Sequence, residues 1–222
     1  MTEFPSLSAA GERRQARLRD ARLYVVTDAR REQGDLAAFL DACLSASVDV
    51  VQLRDKTATE DQLRAAADVF RRACDRSGAL FILNDLPGLA VQVGADGAHV
   101  GQQDVHPDHA RRVMGPDLLV GRSTHAPEQI DAVADEDVDY FAIGPVHATP
   151  TKQGRPGIGL EPVRHAAEHA VVPWFVIGGM NVDTLPAALE AGARRVVVVR
   201  AVTTAADVAG ACWSLRRLLA RH

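Results

Sequence analysis

Residues 48–56 read VDVVQLRDK. An almost continuous Val/Leu run is how a strand reads when both its faces are covered, as happens in parallel sheets. Side chains alternate along a strand, so Gln52, Arg54 and Lys56 share one face and Leu53 takes the other. The segment therefore predicts a buried strand that delivers three long hydrogen-bond donors at its C-terminal end. Such donors suit an anion and the edge of a ring.

The same pattern recurs along the chain. Apolar runs fall at Leu23–Thr27, Val48–Leu53, Leu80–Leu83, Gly97–Val100, Leu118–Gly121, Tyr140–Ile143, Trp174–Ile177 and Arg195–Val199. Between them, 36–46, 59–77, 107–114, 127–136, 160–170, 184–191 and 205–221 carry apolar residues at three- and four-residue spacing, the period of an amphipathic helix. A short helix over 86–93 completes the alternation. Thr59 and Glu60 suit an N-cap and a first-turn acid. Gly78, Gly94 and Gly192 stand where helices should stop. Eight strands alternating with helices predict an α/β fold, a (β/α)8 TIM barrel of one domain over 21–222; an open doubly wound sheet would usually show fewer strands. Residues 1–20 read as a loosely attached polar extension.

In such a barrel the chemistry sits at the C-terminal ends of the strands, and polar residues concentrate there. Strand 2 ends in Gln52, Arg54 and Lys56. Strand 3 ends Asn84-Asp85, and strand 4 is followed by Gly101-Gln102-Gln103-Asp104. Carboxylates on adjacent strands can reach one point, as Mg2+ requires. Both carboxylates also sit just before proline-led helices, where an N-capping role is equally open. Strand 5 ends Ser123-Thr124-His125. The loop after strand 6 carries Thr149, Pro150, Thr151 and Lys152 and reads as a lid or clamp. Strand 7 ends Gly178-Gly179, and strand 8 ends Val199-Arg200. The loops after strands 7 and 8 are the usual phosphate site of this barrel. Two anion sites facing each other across the barrel mouth suit a transferase with two phosphorylated substrates.

Composition narrows the class. There are 25 Lys and Arg against 29 Asp and Glu, a net charge of −4, so nothing points to nucleic acid or a membrane surface. No run is long enough to cross a bilayer. The arginines at 13, 14, 17 and 19 precede no apolar segment, so no secretory signal is expected. The 3 cysteines, Cys43, Cys74 and Cys212, form no CxxC pair and read as reduced thiols of a cytoplasmic protein. Lys56 and Lys152 are the only lysines, which marks both for sites where a compact ammonium is preferred to a guanidinium. The sequence is compatible with a homo-oligomer and does not specify one.

The runs LYVVTD, VVQLRDK, ILND, GAHVGQQD, VGRSTH, YFAIGPVHATPTK, VIGGMN and GARRVVVVRAV stand in the order and spacing of the thiamine phosphate synthase family, which the chain resembles from about Leu23 onward. The resemblance implies that the QLRDK run (Gln52, Leu53, Arg54, Asp55, Lys56), with Asn84, Ser123 and Lys152, holds 4-amino-2-methyl-5-pyrimidinylmethyl diphosphate. Arg54, Lys56, Ser123 and Lys152 would be catalytic, and Asp85 and Asp104 would hold Mg2+ against the pyrophosphate. Thr149, Pro150, Thr151, Gly179, Val199 and Arg200 would hold a thiazole phosphate. In the family pyrophosphate departs first, leaving a pyrimidinylmethyl cation that the thiazole nitrogen captures. Arg200 stands where the family commonly has Ser. A thiazole tautomerase of the same barrel family shares the GRSxH and IGGM motifs but is expected to lack the Asn-Asp pair, the acid after strand 4 and the Thr-x-Thr-Lys loop. A non-catalytic precursor-binding regulator would have lost metal ligands or Lys152.

Overall fold

The computed structural model describes residues 7–148 and 157–222. Eight parallel strands close into one barrel in sequence order: β1 Leu23–Thr27, β2 Val50–Leu53, β3 Leu80–Asn84, β4 Gly97–Val100, β5 Leu119–Thr124, β6 Tyr140–Ile143, β7 Trp174–Val176 and β8 Val196–Val198. The barrel closes where Leu23, Tyr24 and Val25 pair with Val196, Val197 and Val198. Around it run α1 Ala9–Asp20, α2 Leu36–Ser45, α3 Glu60–Ser77, α4 Pro87–Gln92, α5 Pro107–Met114, α6 Pro127–Ala132, α7 Glu161–His169, α8 Leu185–Glu190, α9 Arg200–Thr203 and α10 Val208–Leu219. The single-domain (β/α)8 reading stands.

Local chemistry sets the helix ends. Thr59 and Gln62 form a reciprocal capping box at the start of α3, and Gly78 ends it in the left-handed conformation (φ 79°). Prolines open α4, α5 and α6, where a missing N–H costs nothing.

Alternation divides the strands into two cores. One face packs against the helices, with Val25, Val51, Leu53, Phe81, Leu83 and Phe141 among its members. The other fills the lumen with Tyr24, Val26, Val50, Leu80, Ile82, Leu119, Tyr140, Phe175 and Val197. Gly121 makes room for this filling: a Cβ there would lie 2.2 Å from the Tyr140 ring and 2.6 Å from His99 Nδ1.

The reading of residues 9–20 as loosely attached requires a correction. Residues 9–20 form α1, and Leu18, 2% exposed, packs with the lumen residues. The helix plugs the N-terminal mouth of the barrel. Its low apolar content hid this, because one leucine and Ala21 carry the contact and charged groups carry the rest.

Those charged groups belong to a pattern repeated at β2, β4 and β6. An aspartate stands immediately before each strand, accepts a backbone N–H from the preceding strand, and pairs with arginine. Asp49 accepts from Leu23 N (2.9 Å) and pairs with Arg216. Asp96 accepts from Phe81 N (2.9 Å) and pairs with Arg14 and Arg71. Asp139 accepts from Val120 N (2.6 Å) and pairs with Arg111. Gln15 of α1 also reaches Asp139. These links pin the N-terminal face and leave the opposite face for chemistry.

Candidate active site

The C-terminal face opens into a cavity of about 670 Å³ whose walls include Gln52, Arg54, Asn84, Ser123, Gly179, Val199 and Arg200. These predicted residues come from β2, β3, β5, β7 and β8, and the barrel brings them together. Leu53 and Asp55 are turned elsewhere. Leu53 is fully buried in the core between barrel and helices. The Asp55 carboxylate is held by Arg31, Thr57 and Ala58 N (3.0 Å), and despite partial burial these donors hold it down at about 2. Asp55 thus shapes the loop that presents Arg54 and Lys56, and any contact from these two positions would run through the backbone. Thr149, Pro150, Thr151 and Lys152 lie outside the described residues.

Asp85 and Asp104 meet. Burial and the neighbouring Asp104 carboxylate push Asp85 above the usual range, with Lys56 Nζ opposing them from 3.3 Å. Asp104, though partly desolvated, is held below that range by the hydrogen bond from Asp85 and by Gly101 N, which donates at 2.8 Å. Neither acid caps a helix: Leu86 occupies the N-cap of α4, and the His106 side chain caps α5. Asp85 also sits at φ 63°, a left-handed conformation uncommon outside glycine. Two carboxylates brought face to face, with a lysine beside them, form a donor set that a hard divalent cation would satisfy together with phosphate oxygens. Among the described residues no third His, Cys, Asp or Glu joins them, which leaves coordination positions for a phosphorylated ligand and water.

Arg54 forms no ion pair among the described residues, so its charge remains available to an anion. Across the cavity, Gly178 (φ 102°) and Gly179 (φ 69°) are required as glycines. A Cβ on Gly178 would sit 2.3 Å from Pro145 Cα, and one on Gly179 would sit 2.7 Å from His147 Cβ. His125 is an anchor: its Nδ1 reaches the Gly144 carbonyl, and its backbone N–H donates to Gln129.

Tyr24, His99 and Arg30 are among the lining residues that went unread in the sequence. Tyr24 and His99 project into the lumen between predicted ligands. Their strand parity, shared with Gln52 and Ser123 across the barrel registers, was the available signal. Arg30 is the third. Its guanidinium grips Asp35 through Nε (2.5 Å) and Nη2 (2.8 Å), donates to Thr203 O (3.1 Å) at the end of α9, and stacks on Phe39. Nothing in its local sequence marks it, because its partners lie on α2 and at the far end of the chain.

A family model described as thiamine monophosphate synthase matches residues 23–202. The chain belongs to the thiamine monophosphate synthase family. Curated relatives named thiamine-phosphate synthase include one from Thermobifida fusca, 55% identical over 206 residues (91% of this chain, 94% of that protein). Another, from Mycobacterium bovis, is 49% identical over 217 residues (92% and 97%). A solved structure of thiamine phosphate pyrophosphorylase from Pyrococcus furiosus superposes with a TM-score of 0.82 at 28% identity, covering 93% of this chain and 98% of that one. Family membership makes the chain a transferase acting on phosphorylated small molecules. Among the described residues no helix is long and apolar enough to cross a membrane.

Proposed function

We propose that the chain condenses 4-amino-2-methyl-5-pyrimidinylmethyl diphosphate with a thiazole phosphate, giving thiamine phosphate and pyrophosphate. The observation that supports this reading is a pair of unlike polar clusters at the C-terminal mouth of the barrel, on either side of the cavity that Arg54, Asn84, Gly179 and Arg200 line. The first has Arg54 on the cavity wall and, at the ends of the neighbouring strands, Lys56 beside the Asp85–Asp104 pair. The second has the Gly178-Gly179 turn beside the start of α9. One suits a diphosphate with its cation, and the other a phosphate monoester held by backbone.

Asp85 and Asp104 would hold Mg2+, whose charge would supply neutralisation for a departing pyrophosphate. Arg54 and Lys56 oppose the same charge as it develops. Lys152, by the family resemblance, would oppose that charge as well. Gln52, Asn84 and Ser123 orient the pyrimidine so that its exocyclic methylene faces the thiazole nitrogen. Bond breaking leaves a resonance-stabilised cation that needs no strong base, which agrees with the tethering of His125 to Gly144. The thiazole phosphate is seated by Gly179, Val199 and Arg200 with Thr149, Pro150 and Thr151. The thiols Cys43, Cys74 and Cys212 are free and buried, in keeping with a cytoplasmic setting.

The test is direct assay of the purified chain with both substrates, with and without Mg2+, followed by chromatography for thiamine phosphate. Mg2+-dependent product is expected. Isomerisation of the thiazole phosphate alone would replace this reading with the tautomerase.

Arg30 supplies a separate prediction. By tethering Thr203 O it holds α9, and with it the backbone of Val199 and Arg200. Arg30→Ala should raise KM for the thiazole phosphate about tenfold, the scale of one lost charged hydrogen bond, and leave KM for the pyrimidine diphosphate near its original value. Steady-state kinetics with each substrate varied in turn would show this split, and equal shifts in both would reject the role.

A further inference from the structure

Five side chains from five strands form one hydrogen-bonded chain across the lumen. Gln52 Nε2 donates to Tyr24 Oη at 2.6 Å. Tyr24 Oη lies 3.2 Å from Tyr140 Oη. Tyr140 Oη lies 3.3 Å from His99 Nδ1, and His99 Nε2 lies 3.0 Å from Ser123 Oγ. Gln52, at one end, and Ser123, at the other, line the cavity, whereas Tyr140 in the middle is 1% exposed. Burial pushes both phenols up, so each keeps its proton.

One direction along such a chain satisfies every link from its first atom onward. An amide nitrogen can only donate. Tyr24 therefore accepts from Gln52; with its own proton directed to Tyr140, and that of Tyr140 directed to His99 Nδ1, every link of the chain is made. In that arrangement the imidazole carries its proton on Nε2 and donates it to Ser123 Oγ. Ser123 Oγ has no acceptor for its own proton among the described residues, and its residue borders the cavity. The ends consequently present opposite polarity to a ligand: an acceptor at Gln52 Oε1 and a donor at the Ser123 hydroxyl.

We propose that this buried relay makes Tyr140 and His99 positioning residues that set the donor–acceptor pattern of the pyrimidine subsite, so that it accepts a 4-aminopyrimidine and rejects the 4-oxo analogue. The inference rests on the function proposed above. An exocyclic amine donates and the unprotonated ring nitrogens accept, which matches the two ends. A 4-oxo ring reverses both groups along that edge and meets acceptor with acceptor and donor with donor. Rejection of about a hundredfold or more in kcat/KM is expected for a mismatch of this kind.

Two measurements test it. In the full chain with 15N-labelled histidine, with His99→Gln used to assign the resonance, His99 is expected as the neutral Nε2–H tautomer. An Nδ1–H tautomer or an imidazolium would overturn the polarity. Tyr140→Phe keeps the ring, its 5.8 Å contact with Phe175 and its 6.2 Å contact with Tyr24, and deletes one oxygen that two links share. It should raise KM for the pyrimidine diphosphate about tenfold, spare KM for the thiazole phosphate and reduce the amino-over-oxo preference. An unchanged preference, or equal shifts in both KM values, would overturn the positioning role. If the wild-type chain makes no thiamine phosphate, the proposed function fails, and the tautomer still decides the relay's direction.

Discussion

Asp85→Asn should lower turnover by a hundredfold or more, the scale of losing one preorganised electrostatic contact in a transition state, and should at the same time raise the melting temperature of the metal-free chain. The two effects share a cause. Desolvation and the Asp104 carboxylate hold Asp85 above its ordinary range. A carboxyl whose folded value exceeds its unfolded value costs the fold its ionisation as pH rises through the folded value. At neutral pH the wild type bears that cost. Asparagine removes it and can still donate to Asp104, as the protonated acid would. The stability gain should therefore vanish below about pH 4, where the carboxyl is protonated folded and unfolded alike. Asparagine is the informative replacement because position 85 sits at φ 63°, which Asn tolerates and Ala does not. Turnover across a Mg2+ titration, with thermal melts in chelator, would separate the two effects. Full activity of the variant in chelator would remove Asp85 from the metal site. A melting temperature unchanged at neutral pH would show that the two carboxylates do not repel.

The fold was legible because the barrel's strands are covered on both faces, and runs such as VVQL, LFIL and VVVV state that directly. Four of the eight predicted strands differ from the observed ones by a residue or two at an end, and β5 runs three residues further, to Thr124. The extension brings Ser123 into the sheet beside Ala142, so this side chain stands on a rigid strand. The predicted site was legible where a polar residue interrupts the end of an apolar run, as at Gln52, Asn84 and Asp85. Tyr24, His99 and Tyr140 escaped because each lies inside a run that reads as plain core, and their meaning comes from closure of the barrel, which sets strands distant in sequence side by side. Leu53 and Asp55 show the converse. They stand within the most informative motif in the chain, yet pleating turns Leu53 outward and local turn hydrogen bonds occupy Asp55. A motif marks a stretch of chain, whereas a cavity selects individual side chains from it.

Asp96→Ala should destabilise the fold by about 3–5 kcal/mol, the scale of breaking a buried ion pair by removing one partner, without altering catalysis at moderate temperature. Asp96 is 4% exposed and accepts from Phe81 N, Arg14 Nε and Arg71 Nη1, each at 2.9 Å. Its loss strands a buried backbone N–H of β3 and takes an ion-pair partner from two guanidinium groups at once. Arg71 stays beside Asp75 on its own helix (3.0 Å), but Arg14 loses the ion pair that ties α1 to the barrel. For a chain of this length the melting temperature should fall by roughly 10 °C. Arg14→Ala removes one half-buried partner from the same cluster and should cost about 1 kcal/mol. Asp49 and Asp139 hold corresponding places before β2 and β6, so the three substitutions should rank by burial, with Asp49, whose side chain is 23% exposed, the mildest. Thermal melts of the three variants, with KM for both substrates measured well below each transition, would check the ranking. A fall of less than 2 °C for Asp96→Ala, or a selective change in either KM, would mean that the N-terminal face is not the separate structural clamp that its hydrogen bonds describe.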